Sequence, residues 1–193
     1  MYGSTPNNSE FRIPNSAFGL STSVTIAGAD YPVRTDFRVI LEILVMLSDP
    51  DLSDADKTEA LLRMFYVVRP GNTAAAVEAC LSFISSRRPS SGSPKGLVDW
   101  ERDFPLIAAP VNRVLGGECR ALPYLHWHSF LAAYLEIGPD CLFSRVLRIR
   151  EKLRTGKKLD KHEREFLKRN RDLVILPARL SAREEALLKE WTA

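Results

Sequence analysis

The sequence has few of the residues on which disulfide scaffolds and enzyme active sites depend. Its three cysteines, Cys80, Cys119 and Cys141, are widely spaced and form no CxxC pair. An odd number of separated cysteines argues against a disulfide framework and favours free thiols in a reducing compartment. The chain also has only three histidines, no nucleophile elbow and no paired catalytic carboxylates. It is therefore predicted not to be an enzyme.

Motifs for cofactors and metals are also missing. Neither GxGxxG nor GxxxxGK[ST] occurs, and the acidic run at residues 49–56 lacks the glycine and the final glutamate of a calcium loop. His126 and His128 are two residues apart, so on a helix their rings would point in different directions. We expect no metal and no cofactor, and we interpret the two histidines as capping or half-buried side chains.

Long apolar runs are absent as well. The longest, residues 39–47, is interrupted by Glu42 and is too short to span a bilayer. The first residues are rich in Ser, Asn, Pro and Gly and lack the pattern of a secretory signal. These features predict a soluble protein of the cytoplasm without a membrane partner.

What the sequence does contain is apolar residues at helical spacing along most of its length. This predicts a mainly α fold, a multi-helix orthogonal bundle with a small N-terminal β-hairpin and a charged C-terminal helical arm. The predicted parts are a flexible tail (1–20), the hairpin plus three helices (21–86), a linker or long loop (87–98), a helical part with an aromatic helix and the basic arm (99–177), and a C-terminal helix (178–193).

Local signals predict where individual elements begin and end. The hairpin is predicted to pair residues 24–26 with 31–33 across a turn at 27–30. Thr35 is the predicted N-cap of the first helix, and Ser53 that of the second. An aromatic helix is predicted over 124–137. A capping box formed by Asp160 and Glu163 predicts one further helix that runs to residue 173.

Positive charge is concentrated in residues 145–172, which hold twelve Lys or Arg and five Asp or Glu, a net charge of +7 in a chain of +3 overall. Arg145, Arg148 and Lys152 recur at steps of three and four, so they share one helix face. With Lys157 and Lys158 they form what is here called the basic stripe. A solvated face, a surface for an acidic protein and a phosphate-binding surface remain open interpretations.

Two stretches resemble a known family. Tyr-Pro-Val-Arg-Thr-Asp-Phe-Arg at residues 31–38 and Tyr-Leu-His-Trp-His-Ser-Phe at residues 124–130 are similar, in the same order, to blocks of the bacteriophage gene-product-fifteen family. His128 stands where that family has a second tryptophan. The signature residues are Thr35, Asp36, Phe37, Arg38, Tyr124, Leu125, His126, Trp127 and Phe130.

The resemblance implies a phage or prophage tail morphogenesis protein, a tail assembly chaperone that binds the tape-measure or major tail protein, or its own copies, in the cytoplasm of the bacterial host. The alternatives are a structural tail subunit kept in the virion and a nucleic-acid-binding module on residues 145–172, which would add Lys161, Lys168 and Arg169 to the basic stripe. Sparse aromatic residues in that segment argue against nucleic acid.

A chaperone for helical chains is expected to offer an apolar groove with a charged rim. The candidate partner-binding residues were the basic stripe and four residues of the predicted aromatic helix, Tyr124, Trp127, His128 and Tyr134. For Trp127, Phe130 and Leu131 we prefer the interpretation that they belong to the core.

Overall fold

The computed structural model describes residues 19–86 and 96–176. Within these residues the chain forms eight α-helices, a 3₁₀ turn and a two-stranded antiparallel sheet, so the predicted mainly α class with a small hairpin is confirmed. The predicted tail up to residue 18, the linker residues 87–95 and the predicted helix 178–193 lie outside the described residues.

The hairpin pairs β1 (Ser23–Ile26) with β2 (Ala29–Pro32). The predicted four-residue turn was wrong, because two of its residues belong to β2. The actual turn contains Ala27 and Gly28, which have φ angles of 50° and 82°. Two consecutive positive φ angles are typical of the type I′ turn, whose twist matches that of the flanking strands.

The first three helices are α1 (Phe37–Leu47), α2 (Asp54–Phe65) and α3 (Thr73–Ile84). Ser53 caps α2 as predicted. The prediction that Thr35 caps α1 was wrong. The carboxylate of Asp36 accepts the amide of Arg38 instead, and the Thr35 hydroxyl is bonded to the hydroxyl of Tyr124 at 2.6 Å.

The middle of the chain contains α4 (Trp100–Leu115), a 3₁₀ turn (Cys119–Ala121) and α5 (Trp127–Leu135). α4 is followed by its C-cap Gly116, which has a left-handed φ of 71°. The prediction that α5 begins at Tyr124 was wrong, because His126 is its N-cap and the two preceding residues are not helical.

The basic segment contains α6 (Leu142–Arg154), α7 (Lys161–Arg169) and α8 (Arg171–Val174). The capping box of Asp160 and Glu163 is confirmed. The single helix predicted to run to residue 173 was wrong, since Asn170 leaves helical geometry at φ −128° and ψ 38° and separates α7 from α8.

One hydrophobic core includes residues from both sides of segment 87–95. Phe37, Phe65 and Phe83 from α1, α2 and α3 are buried in the same cluster as Trp127 and Phe130 from α5. The preferred interpretation of Trp127 and Phe130 as core residues is therefore confirmed. A smaller cluster formed by α6 and α8 packs against α4, so the basic segment is attached to the bundle.

Candidate functional site

An open groove of about 640 Å³ runs along α1 and the first turns of α4. Its lining is mainly apolar and its rim is charged. The apolar lining residues are Phe37, Leu41, Val45, Met46, Leu52, Trp100 and Phe104. The charged residues are Arg38, Glu42, Asp49, Glu101 and Arg120. We call this feature the α1–α4 groove.

The sequence of α1 explains why the groove exists. Ile40 and Ile43 are completely buried in the core, whereas Phe37, Leu41 and Val45 recur every four residues and line the groove. An ordinary surface helix has one apolar stripe and a polar opposite face. α1 has only two charged residues in eleven, so its apolar surface is wider than the core covers.

Stacked aromatic rings support the floor of the groove. The ring of Phe37 stacks on Phe130 at 4.7 Å and on Phe104 at 6.4 Å between centroids. Trp100 meets Tyr134 at 5.2 Å. Offset and tilted aromatic pairs of this kind stabilise packing beyond the area that they bury. The groove is therefore fixed by the core behind it.

The two arginines at the rim are already paired within the chain. Arg38 lies 2.9 Å from the carboxylate of Asp36 and also donates to the carbonyl of Leu122. Both ends of the Arg120 guanidinium contact Glu118 at 2.8 Å. Hydrogen bonds from Arg120 lower the pKa of Glu118 to about 2, so this pair keeps its opposite charges across the ordinary pH range.

The acids of the rim are differently placed. Glu42 and Glu101 are exposed, and neither forms an ion pair within residues 19–86 and 96–176. Asp49 accepts the backbone amide of Asp51 at 2.9 Å, which does not neutralise its charge. With the two arginines paired, the rim carries an excess of negative charge.

The two family-signature blocks meet in space although they are 89 residues apart in the chain. Asp36 and His126 form an antiparallel bridge. The amide of Phe37 donates to the carbonyl of Leu125 at 2.9 Å, and the amide of Trp127 donates to the carbonyl of Thr35 at 2.7 Å. The signature therefore joins the starts of α1 and α5, directly behind the groove.

The two histidines are structural. His126 Nδ1 accepts the amide of His128, which caps α5, while His126 Nε2 donates to the carbonyl of Ser21 at 2.9 Å. His128 Nε2 contacts the carbonyl of Phe83. Because His126 precedes the helix, the two rings lie 5.1 Å apart rather than pointing away from each other, which corrects the direction expected from a continuous helix.

The aromatic candidates for partner binding lie outside the lining of the groove. Trp127 is buried and its indole donates to the carbonyl of Ile84 at 2.9 Å. Tyr134 is partly buried, and burial raises its pKa to about 12. His128 is half-buried, whereas Tyr124 is 52% exposed. The ring of Tyr134 packs against that of the lining residue Trp100.

Three members of the basic stripe have partners within the chain. Lys152 is held by both carboxylate oxygens of Glu163 at 2.6 and 2.7 Å. Arg145 lies over the ring of Phe166, and Arg148 contacts the carbonyl of Pro139 at 3.4 Å. Lys157 and Lys158 are exposed. Three residues of the basic stripe thus have contacts within the chain, and the other two are exposed to solvent.

One cation of the basic segment is buried, which the spacing did not reveal. Arg150 is 5% exposed and forms a two-pronged ion pair with Asp103 at 2.6 and 2.9 Å. It also donates to the carbonyls of Leu97, Leu173 and Val174. The only signal of this burial in the sequence is the position of Arg150 beside the apolar residues Val146 and Ile149 on the buried face of α6.

A family model matches part of the chain. Residues 19–96 match the model of the family described as Bacteriophage Gp15 protein, a segment that holds the hairpin, α1 to α3 and the first signature block. Neither a curated protein nor a solved structure matches the chain. In residues 19–86 and 96–176, no three His, Cys, Asp or Glu side chains are gathered so as to hold a metal ion. No helix of the same residues has the length and apolarity to cross a membrane.

Proposed function

We propose, from the match of residues 19–96 to the family described as Bacteriophage Gp15 protein, that this chain is a phage tail morphogenesis protein. It acts as an assembly chaperone, by non-covalent binding and without catalysis, in the cytoplasm of the bacterial host. Its partner is the tape-measure protein or the major tail protein.

The observation that carries the proposal is the α1–α4 groove. A tape-measure protein is a long helical chain that must be kept soluble until tail-tube subunits enclose it. Helix-in-groove recognition buries the apolar stripe of such a chain between two helices and leaves its charged flanks at the rim. The groove has seven apolar lining residues, a charged rim and a floor fixed by the core, which suits this mode.

Nucleic-acid binding through residues 145–172 is less well supported. Arg150 is buried in an ion pair, and Lys152 is occupied by Glu163. Phosphate recognition depends on cations that are free to displace counterions. A titration with DNA or RNA at about 50 mM salt that shows no binding removes this alternative.

Co-expression with the tape-measure protein of the same phage tests the proposal. We expect the two proteins to co-purify, and we expect defective tails when the gene is deleted. Lack of association combined with normal tails would contradict it. Mass spectrometry of purified virions separates a chaperone, which is absent from the particle, from a structural subunit, which is retained.

A further inference from the structure

We propose that the α1–α4 groove selects an amphipathic helix whose apolar stripe is bordered on both sides by Lys or Arg. This inference deepens the proposed function and rests on it, because it states the chemistry of the partner at the same site. It concerns the sign of the charge that the partner presents, which neither the family nor the volume of the groove determines.

The length of the groove fits a short helical segment. Its lining on the α1 side extends from Phe37 in the first turn to Asp49, two residues beyond the end of the helix. The eleven residues of α1 rise 1.5 Å each, which corresponds to about 16 Å, or about three turns of a bound helix. Trp100 and Phe104 line the opposite wall over about one turn of α4.

Negative charge stands on both walls. Glu42 belongs to α1 and Glu101 to α4, so a helix lying in the groove has one carboxylate on each side of its apolar stripe. Asp49 adds a third at the C-terminal end of α1, where the helix dipole is also negative. The first turn of α4 partly offsets the charge of Glu101, but Glu42 and Asp49 have no such compensation.

The positive groups of the rim do not cancel this field. Arg38 and Arg120 also lie on the rim, but each is paired within the chain, Arg38 with Asp36 and Arg120 with Glu118. A partner with acidic flanks would place its carboxylates against Glu42 and Glu101 and would be repelled. A partner with basic flanks gains up to three ion pairs at these exposed positions.

The test uses the full chain and two fluorescently labelled helical peptides of 18 residues. Both carry the same leucine stripe, bordered by Lys in one and by Glu in the other, and anisotropy is measured at about 50 mM salt. We expect the Lys peptide to bind at least about tenfold more tightly, and we expect this preference to weaken as salt is added. Equal affinities for the two peptides would overturn the proposal.

Charge-reversed variants place the effect at the rim. The double variant Glu42→Lys with Glu101→Lys is expected to reverse the preference between the peptides. Glu78→Lys serves as the matched control, because Glu78 is an exposed acid on α3 outside the groove. If Glu78→Lys has the same effect as the double variant, the preference reflects net charge only and the proposal fails.

A third variant tests the apolar contact. Val45 lines the groove without belonging to the core cluster, so Val45→Gln is expected to weaken binding of both peptides while thermal unfolding stays unchanged. If Val45→Gln does not weaken binding of the Lys peptide, the peptide binds outside the α1–α4 groove and the proposal fails. A dimer of the native chain that Val45→Gln dissociates would make a second copy the occupant, which overturns the proposal.

The tape-measure co-purification separates this inference from the proposed function. If the native chain and the Glu42→Lys, Glu101→Lys variant retain the tape-measure protein equally, the inference fails and the proposed function stands. If the native chain does not retain it, the proposed function fails, whatever the peptides show.

Discussion

Arg150 and Asp103 form the one ion pair that is buried within residues 19–86 and 96–176, and the contacts of Arg150 join four parts of the chain. The guanidinium connects α6 to α4 through Asp103, and it also holds the carbonyl of Leu97 and two carbonyls of α8. A buried charge costs little when its partner and remaining hydrogen-bond sites are satisfied, and a great deal when one partner is removed. Arg150 therefore stabilises the packing of α6 against α4 and α8.

Arg150→Met is expected to lower the free energy of unfolding by about 3–5 kcal/mol, because Asp103 would remain buried without its cation. Arg148→Met on the exposed side of the same helix is the matched control and should change stability by less than about 0.5 kcal/mol. Urea unfolding followed by circular dichroism measures both. Similar losses in the two variants would show that the buried pair has no special weight.

The cap of α5 makes stability depend on pH. Burial lowers the pKa of His126 below the usual 6.5, and its Nδ1 must stay unprotonated to accept the amide of His128. The unfolded chain therefore takes up this proton at about pH 6.5, whereas the folded chain takes it up at lower pH. Stability is fully present above pH 6.5 and falls as the pH decreases towards the folded pKa.

His126→Asn tests this dependence, because asparagine can cap a helix but does not titrate. We expect the urea midpoint of the native protein to fall between pH 7.5 and pH 5, and we expect a flatter profile for the variant. His128 and His162 are present in both proteins and serve as internal controls. Parallel profiles would exclude His126 as the origin of the pH dependence.

At the scale of elements, α7 differs from the helices of the core. None of its residues is buried, and its first turn depends on the reciprocal bonds of Asp160 and Glu163. Glu163 also holds Lys152 of α6, so one carboxylate both caps α7 and attaches it. Phe166 and Leu167 of α7 pack on the smaller cluster but are only partly buried, so α7 is expected to open locally without unfolding the whole protein.

Asp160→Ala is expected to destabilise α7 through loss of its N-cap. Hydrogen exchange should accelerate in α7 and remain unchanged in α1 and α5, as followed by mass spectrometry. Ser53→Ala, which removes the cap of α2 inside the main core, is the comparison. Faster exchange throughout the protein after Asp160→Ala would contradict the local role of α7.

The sequence predicted the helices well because their apolar periodicity is local information. It did not predict which of two neighbouring side chains caps α1, because Thr35 is held by Tyr124, a residue that is distant in the chain. The helical start at Tyr124 failed for the same reason, since residues 124 and 125 pair with the segment before α1. Neither the groove nor the burial of Arg150 was visible, because each requires contacts between distant helices.

At the scale of the whole molecule, the segment that matches the family is shorter than the segment that forms the hydrophobic core. Residues 19–96 contain α1 to α3, but Phe37 and Phe83 complete their packing only against Phe130 and the ring of His128. The signature bridge between Asp36 and His126 also needs the second half. The segment that matches the family is therefore only part of the folded unit.

Residues 19–96 expressed alone are expected to show no cooperative thermal transition and to expose apolar surface that binds a hydrophobic dye. Residues 19–176 should unfold in one thermal transition, and their folded state should give well-dispersed amide resonances. Calorimetry and NMR spectra of the two fragments provide the comparison. A cooperative transition of residues 19–96 would show that the first three helices form an autonomous unit.

The residues on either side of segment 87–95 are both hydrogen-bonded to later helices. The carbonyl of Ile84 accepts a hydrogen bond from the indole of Trp127, and the carbonyl of Leu97 accepts one from Arg150. Each flank of the segment is therefore held by a helix from further along the chain. We therefore expect two separately translated polypeptides, one ending and one starting in that segment, to associate through the aromatic core. Co-purification of the two polypeptides tests this expectation, and failure to associate would contradict it.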